Sequence, residues 1–115
     1  MLYGPRRLSP RRIVGVPLDL LRAAGMEPPT RVTLETHDSA PETIVIQAYR
    51  AGSEHAGTIS CVGQVVLPRG IVETLNLDQP QVVYMRLGDP HTGIEVMSPR
   101  QGLTVAAARY QVTAS

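Results

Sequence analysis

Displacing the sequence against itself by 51 residues brings two halves into register, and this internal repeat limits the fold more than any other feature. Ile13-Val14-Gly15-Val16-Pro17 falls on Gln64-Val65-Val66-Leu67-Pro68. Leu20 and Leu21 then fall on Ile71 and Val72, Ala24 on Leu75, Met26 on Leu77, Pro29 on Pro80, Leu34 on Met85 and Asp38 on Asp89. Ile44-Val45-Ile46 and Ile94-Glu95-Val96-Met97 close the halves after a one-residue slip. Only five of the 27 pairs from 12 to 38 are identical, yet the order of apolar, Pro and turn residues agrees throughout. A half of about 40 residues is too small to hold a core alone, so the two are expected to interleave into one barrel-like structure.

Each half reads as strand, short helix, strand, turn, strand. Val, Ile and Thr clusters suit the pleated backbone. The first strand stops at Val16 or Leu67, because the following Pro has a fixed φ and no N–H for a ladder. The same Pro suits the first turn of a helix, predicted at 18–24 and 69–75. Gly25 and Asn76 follow, the residue types that best take the left-handed conformation at a helix end. Further strands are predicted at 31–36 and 82–87 and at about 43–49 and 94–98. The chain thus divides into a basic N-terminal arm at 1–10, a first unit at 11–49, a polar linker at 50–57, a second unit at 58–98 and a tail at 99–115. The tail reads equally as a strand or a loose helix.

The chain has no Phe, Trp or Lys, so its core must be aliphatic and base stacking on aromatic rings is disfavoured. Cys61 is the only cysteine, which excludes an internal disulfide and a thiolate metal cluster; a small buried hydrophobe is its expected role. No apolar run approaches the roughly 20 residues that span a bilayer, and the start lacks the stretch of a secretory signal. A cytoplasmic protein without membrane contact is expected. Net charge is +1, unevenly spread: residues 1–31 carry six Arg against Asp19 and Glu27, while the other 84 residues carry five Arg against eight acids. A basic N-terminal region on a slightly acidic body points to an anionic partner, nucleic acid first, or to an ordinary solvated arm.

The segment Gly63-Gln64-Val65-Val66-Leu67-Pro68-Arg69-Gly70-Ile71, followed by Leu75-Asn76-Leu77 and paired strands, resembles the AbrB/MazE/SpoVT swapped-hairpin family of small bacterial DNA-binding domains. Arg12-Ile13-Val14-Gly15-Val16-Pro17 with Leu20-Leu21-Arg22-Ala23-Ala24-Gly25 is similar to the same pattern. In that family two chains each supply one unit and intertwine into a β-barrel. The resemblance therefore implies a mostly β fold with short helices, an AbrB-like barrel formed within one chain as a pseudo-dimer of two β-α-β-β units. It also implies double-stranded DNA as partner, with Arg11, Arg12, Arg22, Gln64 and Arg69 as nucleic-acid-binding residues and Arg6 and Arg7 extending the basic arm. Arg neutralises phosphates and forks onto guanine edges, so the chemistry agrees. Where the family often carries charged residues after the Pro, this chain has Leu18-Asp19 in one unit and Gly70 and Val72-Glu73 in the other, so the first unit is expected to make most phosphate contacts.

The resulting expectation is a DNA-binding transcriptional regulator with no enzymatic activity and no cofactor, open to homo-oligomer formation. Two alternatives stand beside it. One is an antitoxin whose tail docks a toxin; the other is an interaction module of the same fold whose acidic second half binds protein. His37, His55 and His91 lie in predicted loops without metal-ligand spacing, and no nucleophile motif joins them to Ser60, Asp38 or Asp89.

Overall fold

The computed structural model describes residues 2–88 and 93–114, with side chains described as far as residue 108. Asp89, His91 and the side chain of Tyr110 lie outside that range. Eleven elements follow in chain order: β1 (Tyr3–Arg7), β2 (Ile13–Gly15), α1 (Leu18–Ala23), β3 (Thr30–Thr36), β4 (Thr43–Ala48), β5 (Ala56–Ile59), β6 (Gln64–Val66), α2 (Arg69–Leu75), β7 (Val82–Leu87), β8 (Ile94–Met97) and α3 (Pro99–Ala114). The predicted helices and inner strands are present within one or two residues. Pro17 and Pro68 cap α1 and α2, and Gly25 and Asn76 take left-handed φ values of 76° and 51° after them.

Six strands form one antiparallel sheet in the order β1-β7-β8-β4-β3-β5, and β2 pairs with β6 in a separate ribbon. The two halves exchange partners: β1 of the first pairs with β7 of the second, and β5 of the second with β3 of the first. Replacing each strand by its counterpart 51 residues away leaves the sheet order unchanged when read backwards. The register carries the same symmetry. Arg6 faces Val83 and, 51 residues on, Gly57 faces Val32. Thr33 faces Gln47 while Tyr84 faces Met97, so β8 lags its counterpart by one residue, the slip visible in the sequence.

Buried Val, Ile, Leu and Met fill the core, as a chain without Phe or Trp requires. Val32, Leu34, Ile44 and Ile46 meet Val83, Met85, Ile94 and Val96, and Leu20, Leu21, Ile71 and Leu75 cover them from the helices. Each such side chain contributes about 1.5–3 kcal/mol by leaving water. Helices of six and seven residues are marginal alone and persist through this packing.

Two expectations are corrected, and two segments gain a pairing. Within the basic N-terminal arm Tyr3–Arg7 form β1, paired with β7. At the end of the linker Ala56 and Gly57 pair with Thr33 and Val32. The barrel is not closed: among the described residues β1 and β5 are the open edges of the sheet. After each edge strand the chain reverses sharply and leaves the sheet for the ribbon. Ser9 and Ser60 make the two reversals alike. Their carbonyls accept the N–H of Arg12 and Gly63, both at 2.8 Å, and their hydroxyls accept the N–H of Ile13 and Gln64 at 3.0 and 3.1 Å. Cys61 lies in the second reversal and is exposed rather than buried.

The tail, left open between strand and helix, is α3. Ser98 caps it, its hydroxyl accepting the Gln101 N–H at 3.1 Å, and Pro99 occupies the first helical position. No helix among the described residues is long and apolar enough to cross a membrane.

Candidate nucleic-acid interface

The β2–β6 ribbon alternates inward and outward residues, as any strand pair must. Val14 and Val65 face each other and are buried. On the outward side Ile13 faces Val66 and Gly15 faces Gln64; Gln64 is exposed and Val66 is 49% exposed. Tight reversals flank the ribbon at both ends, and a short helix starts at each end. A ribbon of this kind is narrow enough for the major groove of DNA, about 12 Å wide.

Three of the seven candidate residues converge at one end. The Leu67 N–H donates to the Arg12 carbonyl at 2.8 Å, and Arg12 Nε donates to the Leu67 carbonyl at 3.0 Å. This pairing sets Arg12, at φ 63°, and the neighbouring exposed Arg11 two residues from Arg69, which opens α2. A common cationic end results. Gln64 is not part of it, because it faces Gly15 at the opposite end of the ribbon. Arg22 also lies away from it, in the last turn of α1, the helix that starts beside Gly63. Arg6 and Arg7 are consecutive on β1, so their side chains leave opposite faces of the strand. One flat ligand surface can engage only one of them.

Among the described residues the arginines fall into two groups by their partners. Arg50 is paired with Glu35, Arg86 with Glu95 at 2.7 Å and Arg100 with Asp78 at 2.6 Å, while Arg31 lies over the Tyr49 ring at 4.0 Å. Among the described residues none of Arg6, Arg7, Arg11, Arg12, Arg22 and Arg69 has an acidic partner. Ion pairs within the fold therefore use Arg50, Arg86 and Arg100.

A second polar cluster, around Glu42, lies elsewhere and joins elements of the fold. Glu42, at φ 51° before β4, accepts hydrogen bonds from the Ser98 hydroxyl, from Arg100 Nε at 3.2 Å and from the Asn76 amide at 3.4 Å. The Ser98 hydroxyl chiefly holds the Glu42 carboxyl below its ordinary range against the opposing effect of partial burial, with Arg100 and Asn76 adding to the lowering. This cluster ties the start of β4, the end of α2 and the start of α3 together. At the other end of the β3–β4 turn His37 Nδ1 accepts the N–H groups of Ser39 and Ala40 at 3.1 and 3.0 Å, while its Nε2 lies 3.4 Å from Glu95. His37 thus closes the β3–β4 turn. Among the described residues no three His, Cys, Asp or Glu side chains converge as a metal site would need.

No family model, no curated protein and no solved structure matches this chain.

Sequence reasoning missed the outward pair Ile13 and Val66 and the matched reversals. Leu8-Ser9 falls on Ile59-Ser60 at the same 51-residue displacement, a signal that extends the repeat into the segments read as arm and linker.

Proposed function

We propose that this chain is a DNA-binding transcriptional regulator of the AbrB-like type, an intrachain pseudo-dimer of swapped-hairpin units, cytoplasmic, with neither enzymatic activity nor cofactor. The observation that carries this reading is the convergence of Arg11, Arg12 and Arg69, without an acidic partner among the described residues, at one end of a two-stranded ribbon with an outward face. The exchange of β1 and β5 between the halves supports the pseudo-dimer part. In the proposed complex the three arginines neutralise phosphates beside the groove. Gln64 reads an adenine edge, Val66 and Ile13 contact thymine methyl groups, and DNA deformability supplies further selectivity.

Fluorescence anisotropy with a mixed-sequence duplex over a salt series tests the reading. Wild-type protein should bind with a steep salt dependence, and Arg11→Ala with Arg12→Ala should weaken binding to all sequences and lower the salt slope by about 2. An unchanged slope removes these two residues as phosphate contacts, and no binding at low salt overturns the DNA reading.

A second reading, a protein-interaction module, is favoured by one observation: Val62 and Leu18, at the other end of the ribbon, are 68% and 42% exposed. Toxin docking through α3 has the exposed Leu103 in its support. In either case the partner would be a protein.

A further inference from the structure

The centre of the ribbon is also the centre of the internal symmetry. Val14 and Val65 are counterparts in the repeat, and they face each other across the strand pair. Rotation about that point therefore exchanges the two ends of the ribbon. The backbone obeys the exchange closely: the Val16 N–H donates to the Gly63 carbonyl at 2.8 Å just as the Leu67 N–H donates to that of Arg12. The side chains do not. Arg11 is exchanged with Val62, Arg12 with Gly63, Arg69 with Leu18 and Arg22 with Glu73. Each cationic side chain of the basic end has a neutral counterpart; the Arg22–Glu73 exchange runs the other way, with Arg22 on α1 and Glu73 on α2, and it too breaks the symmetry. The outward ribbon positions differ too, Gln64 being exchanged with Ile13 and Val66 with Gly15.

A two-fold symmetric protein presents the same groups to both halves of its site, and its operators are palindromic for that reason. Here the backbone is arranged for such a site while the chemistry is not. We infer that one chain recognises a non-palindromic duplex site in a single orientation, its Arg11–Arg12–Arg69 end on one half and its Leu18–Val62 end on the other. This inference rests on the DNA-binding reading and specifies its target. Phosphate attraction is greater on the half that meets Arg11, Arg12 and Arg69, while the other half, with Arg22 as its one cationic candidate, is selected mainly by apolar contact and by groove shape. The chain's extents of 42 × 30 × 26 Å span at most about 12 base pairs at 3.4 Å per pair, so the asymmetry belongs within roughly one helical turn.

Selection from a duplex library randomised over that length tests it. The expected outcome is a preferred sequence without dyad symmetry, and two palindromes built by doubling either half should each bind at least about ten-fold more weakly. Cys61, the single cysteine and exposed in the reversal at the Leu18–Val62 end, allows a second measurement. An iron chelate tethered there should cleave DNA on one side of the selected site only. A palindromic selected site, a doubled half that binds as tightly as the original, or equal cleavage on both sides overturns the single-orientation inference while leaving DNA binding intact. Failure to bind any duplex at low salt overturns both.

Discussion

Gly63 and Arg12 occupy equivalent points of the two reversals, with φ of 84° and 63°, a region that side chains enter at a cost. At Gly63 an added Cβ would also lie 2.9 Å from the carbonyl oxygen of Val16, a residue held in place by its own N–H donating to the Gly63 carbonyl. Gly63→Ala should therefore destabilise the protein by about 2–3 kcal/mol in urea unfolding, left-handed strain and the clash acting together. Gly15 is the contrast. It has open space around its Cβ position and no left-handed φ, so Gly15→Ala should fall within about 0.5 kcal/mol of wild type or above it. Equal losses at the two positions would show that the reversal is not the constraint. Of the residues singled out from sequence, Arg11, Arg12 and Arg69 could be brought to one place only by a cross-chain pairing of Arg12 with Leu67, 55 residues apart. Spacing along the chain carries no trace of that contact.

Among the elements, α3 shows how a helix of low amphipathicity is held. Its start is fixed by Ser98, fully buried, which accepts the Gln101 N–H and donates to Glu42. Ser98→Ala should cost about 1–2 kcal/mol and lower the far-ultraviolet helix signal before the sheet melts, a sequence readable by circular dichroism during heating. Glu42 adds a pH dependence. Its carboxyl titrates below the ordinary value of 4.5, so folding favours the ionised form. That stabilisation is complete above the unfolded-state value and is lost as pH falls through the lowered folded-state value. Melting temperature should drop below about pH 4.5 in the wild type, and Glu42→Gln should flatten that part of the curve. An identical acid limb in the variant would remove Glu42 from the account. The Ser98-Pro99 dipeptide was a readable helix start, but weak periodicity in the tail obscured it. β1 and β5 were obscured differently, because Gly4, Pro5 and Gly57 lie in strands whose pairing is decided by the other half.

For the whole molecule, the exchange of edge strands makes each half dependent on the other. β1 has its partner in β7, β5 has its partner in β3, and β4 joins β8 at the centre of the sheet. Residues 1–53 expressed alone should lack a folded monomer, and mixing them with 54–115 should restore the β-sheet signal in circular dichroism. A stable folded monomer from either piece would mean that the core is not shared. The same interlocking places two chemically different ends on one symmetric scaffold, which underlies the proposed asymmetric DNA site.

The repeat, the aliphatic core, the type of each inner element and its stopping point at Pro17, Pro68, Gly25 and Asn76 are legible along the chain. These follow from φ restrictions and side-chain shape, which act over a few residues. The crossing of β1 and β5 between the halves, the open edges of the sheet among the described residues, and the choice of arginines that pair with internal acids appear first in the folded chain. Hydrogen-bond partners and ion pairs are chosen among groups tens of residues apart, where packing of the whole core sets the geometry.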